Sequence, residues 1–209
     1  MSQDTGAKRG RAQTTARLLD AAEDLLAVRG TDLGIDDVCQ RAGFTRGAFY
    51  SNFSSMTDLL FAVYERRTEA LLGRLAAADP ELPSEATLGG LVDYVLDLIP
   101  AEPDWYALRA SFARQQHLHA DSTQSLRDHG EELREGLEPL VLAIVAAAGR
   151  RLTLDAAAAV RALIAANVGA VLQAPLVEDP DTLRRDTILA TLSGLTIPVA
   201  AHDGDPASA

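Results

Sequence analysis

Apolar residues recur at three- and four-residue spacing over most of the chain, and a period-two alternation is not sustained anywhere. That pattern predicts helices almost throughout. Leu18, Ala22 and Leu25, widened by Leu19 and Leu26, mark one face of a first helix, with Thr14 or Thr15 as its cap and Gly30 just past its end. Ile35, Val38, Cys39 and Ala42 fall at i, i+3, i+4 and i+7 and predict a very short second helix stopped by Gly43. Thr45 caps a third, on which Phe49 and Phe53 are four apart and share a face. Ser54 or Ser55 opens a long fourth helix through Leu59, Leu60, Val63, Leu71 and Leu75. Asp79-Pro80 and Leu82-Pro83 break the chain after it.

Beyond that break, helices are expected from Ser84 to about Ile99 and from Asp104, next to Pro103, to about Gln116. A long stretch from Asp121 to Gly149 should kink at Pro139, which lacks a backbone donor and crowds the preceding turn. Thr153 is read as the cap of an alanine-rich helix to about Ala174, and Asp179-Pro180 as cap and first position of a last helix to about Ile197. Residues 200–209 are small and polar and read as a disordered tail. The expected fold class is all-α.

Composition then narrows the function. The chain has 209 residues and a net charge of −11, which excludes coating of nucleic acid by bulk positive charge. The charge is uneven: residues 1–53 are net zero, and the acidic excess lies in the rest. The early segment is the part least hostile to a polyanion. Cys39 is the only cysteine, so no intrachain disulfide or cysteine-rich zinc site can form, and a small hydrophobic role is expected for it. Leu137–Ala148 is too short to span a bilayer, and the polar start of the chain has no signal-peptide core, so a cytoplasmic protein with no membrane partner is expected. His117 and His119, with Asp121, invite a metal reading, but residues two apart on a helix face different ways, and no metal is expected. No dinucleotide, P-loop or nucleophile-elbow motif is present, so no cofactor is expected and an enzyme is disfavoured.

Two short helices joined at Gly43, after a longer one, make a helix-turn-helix candidate. With Ile35, Val38, Phe49 and Phe53 packed inward, Arg46, Gly47, Ala48, Tyr50, Ser51 and Asn52 are left off the buried stripe. Gly47 and Ala48 permit close approach to a groove floor. Arg46 and Asn52 can pair bidentately with guanine and adenine. Thr45 and Tyr50 carry hydroxyls suited to phosphate oxygens, and Lys8, Arg9 and Arg11, placed ahead of the first helix, can reach phosphates or a minor groove. Spacing alone leaves a plain helical bundle equally open.

The stretch Arg17 to Thr31, followed by IDDVCQRAGFTRGAFYSNFSSMTDLL at 35–60, resembles the N-terminal signature of the TetR family of bacterial transcriptional regulators, most specifically in AGFTRGAFYSNF at 42–53. The resemblance implies an all-helical homodimer. Residues 1–53 would form a helix-turn-helix DNA-binding head, and 54–199 a ligand-binding and dimerisation body. It further implies a repressor that leaves a (pseudo)palindromic double-stranded operator when a small-molecule effector binds. Two positions depart from the pattern. Gly34 stands where the family often has Thr or Ser, and Met56 where it usually has a phosphate-contacting lysine. Each lost contact should flatten the salt dependence by nearly one unit of slope, leaving Arg9, Arg11, Arg46 and Tyr50 with a larger share of binding.

Within the body, Trp105, Leu108 and Phe112 share one helix face, with Tyr94 and Leu98 on the helix before and Leu137 on a helix after; these are the candidate effector residues. Ala158, Ala162, Ala165 and Gly169 allow close helix approach, and Leu183, Ile188, Leu192 and Leu195 stripe the last helix. Together they are the candidate dimer surface, a four-helix bundle across a two-fold axis. An activator, a regulator controlled by a partner protein, and a helical binding protein with weakened DNA binding are the alternatives.

Overall fold

The computed structural model describes residues 3–77, 87–114 and 120–199, with side chains from residue 10 and, in the last stretch, from 123. Nine α-helices are present among them: α1 (Gln3–Arg29), α2 (Ile35–Ala42), α3 (Arg46–Tyr50), α4 (Met56–Ala77), α5 (Leu88–Leu98), α6 (Pro103–Arg114), α7 (Ala120–Ala147), α8 (Ala156–Gln173) and α9 (Pro180–Gly194). Strands β1 (Arg150–Leu152) and β2 (Thr196–Pro198) form an antiparallel pair. The breaks at Asp79-Pro80 and Leu82-Pro83, the cap at Ser84, and His117 and His119 lie outside the described residues. The chain divides into two units, one of residues 1–71 and 102–129, the other of 72–101 and 130–209, so the packing division does not fall at Phe53.

In the first unit, α1 begins well before Thr14 and Thr15. Their hydroxyls donate to the carbonyls of Gly10 and Arg11, at 3.0 and 3.1 Å, four residues back inside the helix, so neither is a cap. The covered stripe of α1 is Leu18, Ala22 and Leu26, all at 0% exposure, while Leu25 is half-buried. Val38, Cys39 and Ala42 of α2 join it in the core. Gly43 ends α2 at φ 71°, the left-handed region that costs a side chain with a Cβ. There the Arg17 guanidinium donates to the Ala42 carbonyl at 2.7 Å and sits 4.7 Å from the Phe44 ring centroid. Ser55 caps α4, its hydroxyl accepting from the Asp58 N–H at 3.1 Å. Farther along, Tyr64 stacks on Trp105 at 5.7 Å and meets Phe112 edge-on at 6.1 Å, and Phe61 meets Phe112 at 5.3 Å. Each such side chain taken from water contributes roughly 2 kcal/mol.

In the second unit, α8 and α9 pack together and α5 packs on α9. The cap of α8 is Asp155, accepting from the Ala158 N–H at 2.9 Å. Thr153, the expected cap, instead points its N–H and its hydroxyl at the Leu195 carbonyl, at 2.9 and 3.0 Å. Gly149 closes α7 at φ 62°, and the chain leaves it as β1. Arg150 Nε donates to Thr196 Oγ1 at 2.7 Å, the Val199 N–H reaches the Gly149 carbonyl at 2.9 Å, and Ile197 therefore lies in β2 rather than at the end of α9. This three-residue ribbon modifies the all-helical expectation, because a pairing that short leaves no periodic trace. Asp179 caps α9 as expected, accepting from the Thr182 N–H at 3.0 Å. Arg184, only 7% exposed, ties the helices: Nε donates to Asn167 Oδ1 at 2.8 Å and Nη2 to the Ile99 carbonyl at 2.6 Å.

Candidate nucleic-acid interface

Thr45 sets the start of α3, its hydroxyl accepting from the Ala48 N–H at 3.3 Å. Phe49, at 0% exposure, sets its rotation, held edge-on by Tyr50 at 5.5 Å and tilted against Phe53 at 5.9 Å. With Phe49 turned inward, Arg46, Gly47, Tyr50 and Ser51 are exposed and Ala48 is half-buried. Tyr50 is 54% exposed, unusual for so large a ring unless the surface is used. A Cβ on Gly47 would meet only Thr45 Oγ1, at an ordinary 3.6 Å, so the fold itself does not require glycine there.

Asn52 differs from expectation. Its Oδ1 accepts from the Thr15 hydroxyl at 2.9 Å, and its Nδ2 donates to the Ala48 carbonyl at 2.8 Å. Both ends of the amide are engaged inside the protein, so Asn52 fastens α3 to α1 instead of offering a bidentate edge to adenine. Arg11 lies on α1, not on an arm ahead of it, and its Nη2 donates to the Ser51 carbonyl at 3.0 Å. Arg9 has its backbone in α1, while its side chain lies outside the described residues. Ser51 itself donates to the Ala48 carbonyl at 2.8 Å.

The sequence reading also missed the partner of Arg46. Asp36, in the first turn of α2, accepts from Arg46 Nε and Nη2, both at 2.5 Å. The hydrogen bond from Arg46 holds the Asp36 carboxyl below its usual range, and the same contact raises the guanidinium. Asp37 is held low chiefly by the Gly34 N–H and next by Arg29. Arg29, Arg41 and Arg66 likewise face Asp37, Asp24 and the pair Asp20 and Glu23. Gly34 caps α2 through its backbone, with its N–H on Asp37 Oδ2 at 3.0 Å. Met56 opens α4.

Residues 18–63, which cover α2 and α3 with the C-terminal part of α1 and the start of α4, match the family model for bacterial regulatory proteins of the tetR family. Over this segment the chain is similar to bacterial regulatory proteins of the tetR family. It is 28% identical over 103 residues to the uncharacterised HTH-type transcriptional regulator YwcC of Bacillus subtilis, covering 46% of each chain. It is 35% identical over 60 residues to the uncharacterised HTH-type regulator TtgW of Pseudomonas putida, covering 28% of this chain and 45% of that one. The matched part thus spans less than half the length of these curated relatives. A TetR transcription regulator from Haloarcula marismortui has the same fold, with TM-score 0.66 at 22% identity over 89% of this chain and all of the other. A tetR-family regulator from Agrobacterium tumefaciens superposes with TM-score 0.67 at 18% identity over 90% of this chain and all of that one.

The candidate effector residues fall in both units. Trp105, Leu108 and Phe112 are buried in the first, Trp105 and Phe112 against Tyr64, whereas Tyr94 and Leu98 (half-buried) and Leu137 (buried) belong to the second. Sequence reasoning missed Phe61, Tyr64 and His129, which join the aromatic group from α4 and α7. Trp105 Nε1 and His129 Nδ1 are buried there without hydrogen-bond partners. Of the candidate dimer residues, Ala165 is exposed, and Ala158, Ala162, Gly169, Leu183 and Leu195 are half-buried. Ile188 and Leu192, at 8% and 3% exposure, are buried in the single chain. Ala156–Leu176 is long and apolar enough to cross a membrane by length and composition, and 28% of that window is buried.

Proposed function

We propose that this chain is a DNA-binding transcriptional regulator: a repressor released from a (pseudo)palindromic operator when a small molecule binds. Residues 1–53 carry DNA binding, and 54–199 carry effector binding and dimerisation. One observation carries the reading: a short helix locked inward by Phe49 and presenting Arg46 and Tyr50 outward. In that role Arg46 reads a guanine edge, and Gly47 and Ala48 let the helix approach the groove floor. Thr45, Tyr50 and Ser51 bring hydroxyls to phosphates, and Arg9 and Arg11 add charge. Asn52 holds the helix in place and reads nothing.

Two copies of α3 must sit about 34–36 Å apart to enter successive major grooves. The apolar surface of α8 left uncovered in one chain supports a homodimer formed there, with Leu154, just ahead of the helix, 49% exposed and Ala165 exposed. An effector that binds a different spacing more tightly shifts the population away from DNA. The buried Trp105 N–H without a partner supports an effector with an acceptor atom near it. The protein works in the cytoplasm, where operator DNA lies.

Fluorescence anisotropy with a duplex from the region upstream of its own gene tests this. Wild type should bind that duplex over unrelated DNA, and Arg46→Ala combined with Tyr50→Phe should abolish the preference. Undiminished binding by the double variant overturns the reading.

A further inference from the structure

We infer that Asp36 is a specificity-determining positioning residue: it holds Arg46 by one edge so that the opposite edge meets a base, and it keeps Arg46 off the phosphates. The inference rests on the DNA-binding reading above.

The geometry is side-on. Arg46 uses one proton of Nε and one of Nη2 on the two Asp36 oxygens. A guanidinium has five N–H donors in a rigid fork. Three therefore remain, two on Nη1 and one on Nη2, along the end of the fork. That end carries the donor pair that matches guanine O6 and N7. Asp36 does not consume the edge that reads; it orients it.

Asp36 is itself well placed. It lies in the first turn of α2, where the helix dipole favours a carboxylate. The next residue, Asp37, is committed to the Gly34 N–H and to Arg29, so it does not compete for Arg46. Val38, at 0% exposure, fixes the turn that carries both.

Stability does not explain the pair. The two side chains are 61% and 71% exposed, and pairs that open to water contribute little to folding. Ordering a long side chain before it binds does matter, because the rotamer cost is then not met on the DNA. A carboxylate at that place also repels phosphate. Arg46 swinging to the backbone would leave Asp36 facing a like charge, which disfavours non-specific complexes relative to the base-reading one.

The test compares wild type, Asp36→Ala, Asp36→Asn, Asp36→Glu and Arg46→Ala on an operator duplex, on its single-base variants and on unrelated DNA, across a salt series. Circular dichroism checks that each variant is folded. Wild type should prefer guanine at one position per half-site, and Arg46→Ala should lose that preference. Asp36→Ala and Asp36→Asn should weaken the same preference by roughly fivefold or more. They should also tighten binding to unrelated DNA and steepen its salt slope by about 0.9 as Arg46 moves to a phosphate. Asp36→Glu should keep part of the preference. A purely structural role would weaken all duplexes alike. If wild type discriminates and Asp36→Ala leaves both base preference and salt slope unchanged, the role of Asp36 is overturned while the regulator reading stands. If wild type discriminates among no duplexes, both fall.

Discussion

Asn52→Ala separates a base-reading side chain from a structural one. Continued helix periodicity would put Asn52 on the outer face of α3, but it lies past the end of that helix and its amide closes a bridge between Thr15 and the Ala48 carbonyl, at 2.9 and 2.8 Å. Truncation removes both hydrogen bonds, together with a long one of 3.3 Å from Nδ2 to the Ser51 hydroxyl. Neither partner is stranded: Thr15 can still donate to the Arg11 carbonyl at 3.1 Å, and the Ala48 carbonyl still receives the Ser51 hydroxyl at 2.8 Å. The loss therefore stays near the net value of two neutral hydrogen bonds, about 1–2 kcal/mol, without the larger penalty of orphaned groups. For a chain of this size that lowers the melting temperature by about 2–8 °C. Thermal unfolding by circular dichroism reads the stability. Anisotropy on single-base operator variants, well below the melting transition, reads the specificity. The expected result is a less stable protein whose base preferences are those of wild type. A variant as stable as wild type that has lost discrimination at one base pair would refute the reasoning and return Asn52 to the DNA.

Other outcomes follow from the same structure. Arg184→Met should destabilise by about 3 kcal/mol or more in urea unfolding, because hydrogen bonds to a charged donor are lost at Asn167 and at the Ile99 carbonyl while the volume is kept; a loss under about 1 kcal/mol contradicts this. Thr45→Ala removes the α3 cap and should cost about 1 kcal/mol, with Thr45→Ser recovering most of it in the same thermal assay. Asp37, held below the ordinary value of 3.8 by the Gly34 N–H and Arg29, contributes stability that is complete above that value and is lost as pH falls through the lower folded one. Asp37→Asn should therefore flatten the acid limb of stability below about pH 4, and superimposable limbs for the two proteins count against it.

Local signals carried far at the N-terminus. Gly30, Gly43, Thr45 and Ser55 mark helix ends by backbone and cap chemistry that depends on a few neighbouring residues, and the boundaries appear there. Where two local signals competed, the ambiguity was real. Thr14 and Thr15 look like caps, yet a threonine hydroxyl is also content bonded four residues back inside a helix. Thr153 looks like a cap, yet the Leu195 carbonyl, 42 residues away, takes its hydroxyl. The ribbon of β1 and β2 pairs residues too few to show a period.

At the candidate interface the division is the same. Which residue types stand on α3, and that Phe49 turns inward, is set by spacing along the chain; Phe53, expected on the same helix, lies past its end at Tyr50 and is buried there. That Asn52 turns inward to Thr15 and that Arg46 is gripped by Asp36 are decided by other helices, because a side chain's hydrogen-bond partner is whatever acceptor the fold brings within about 3 Å. Helical periodicity fixes direction about one axis only. Partnership between side chains on different helices depends on how those axes pack, and no residue states that by itself.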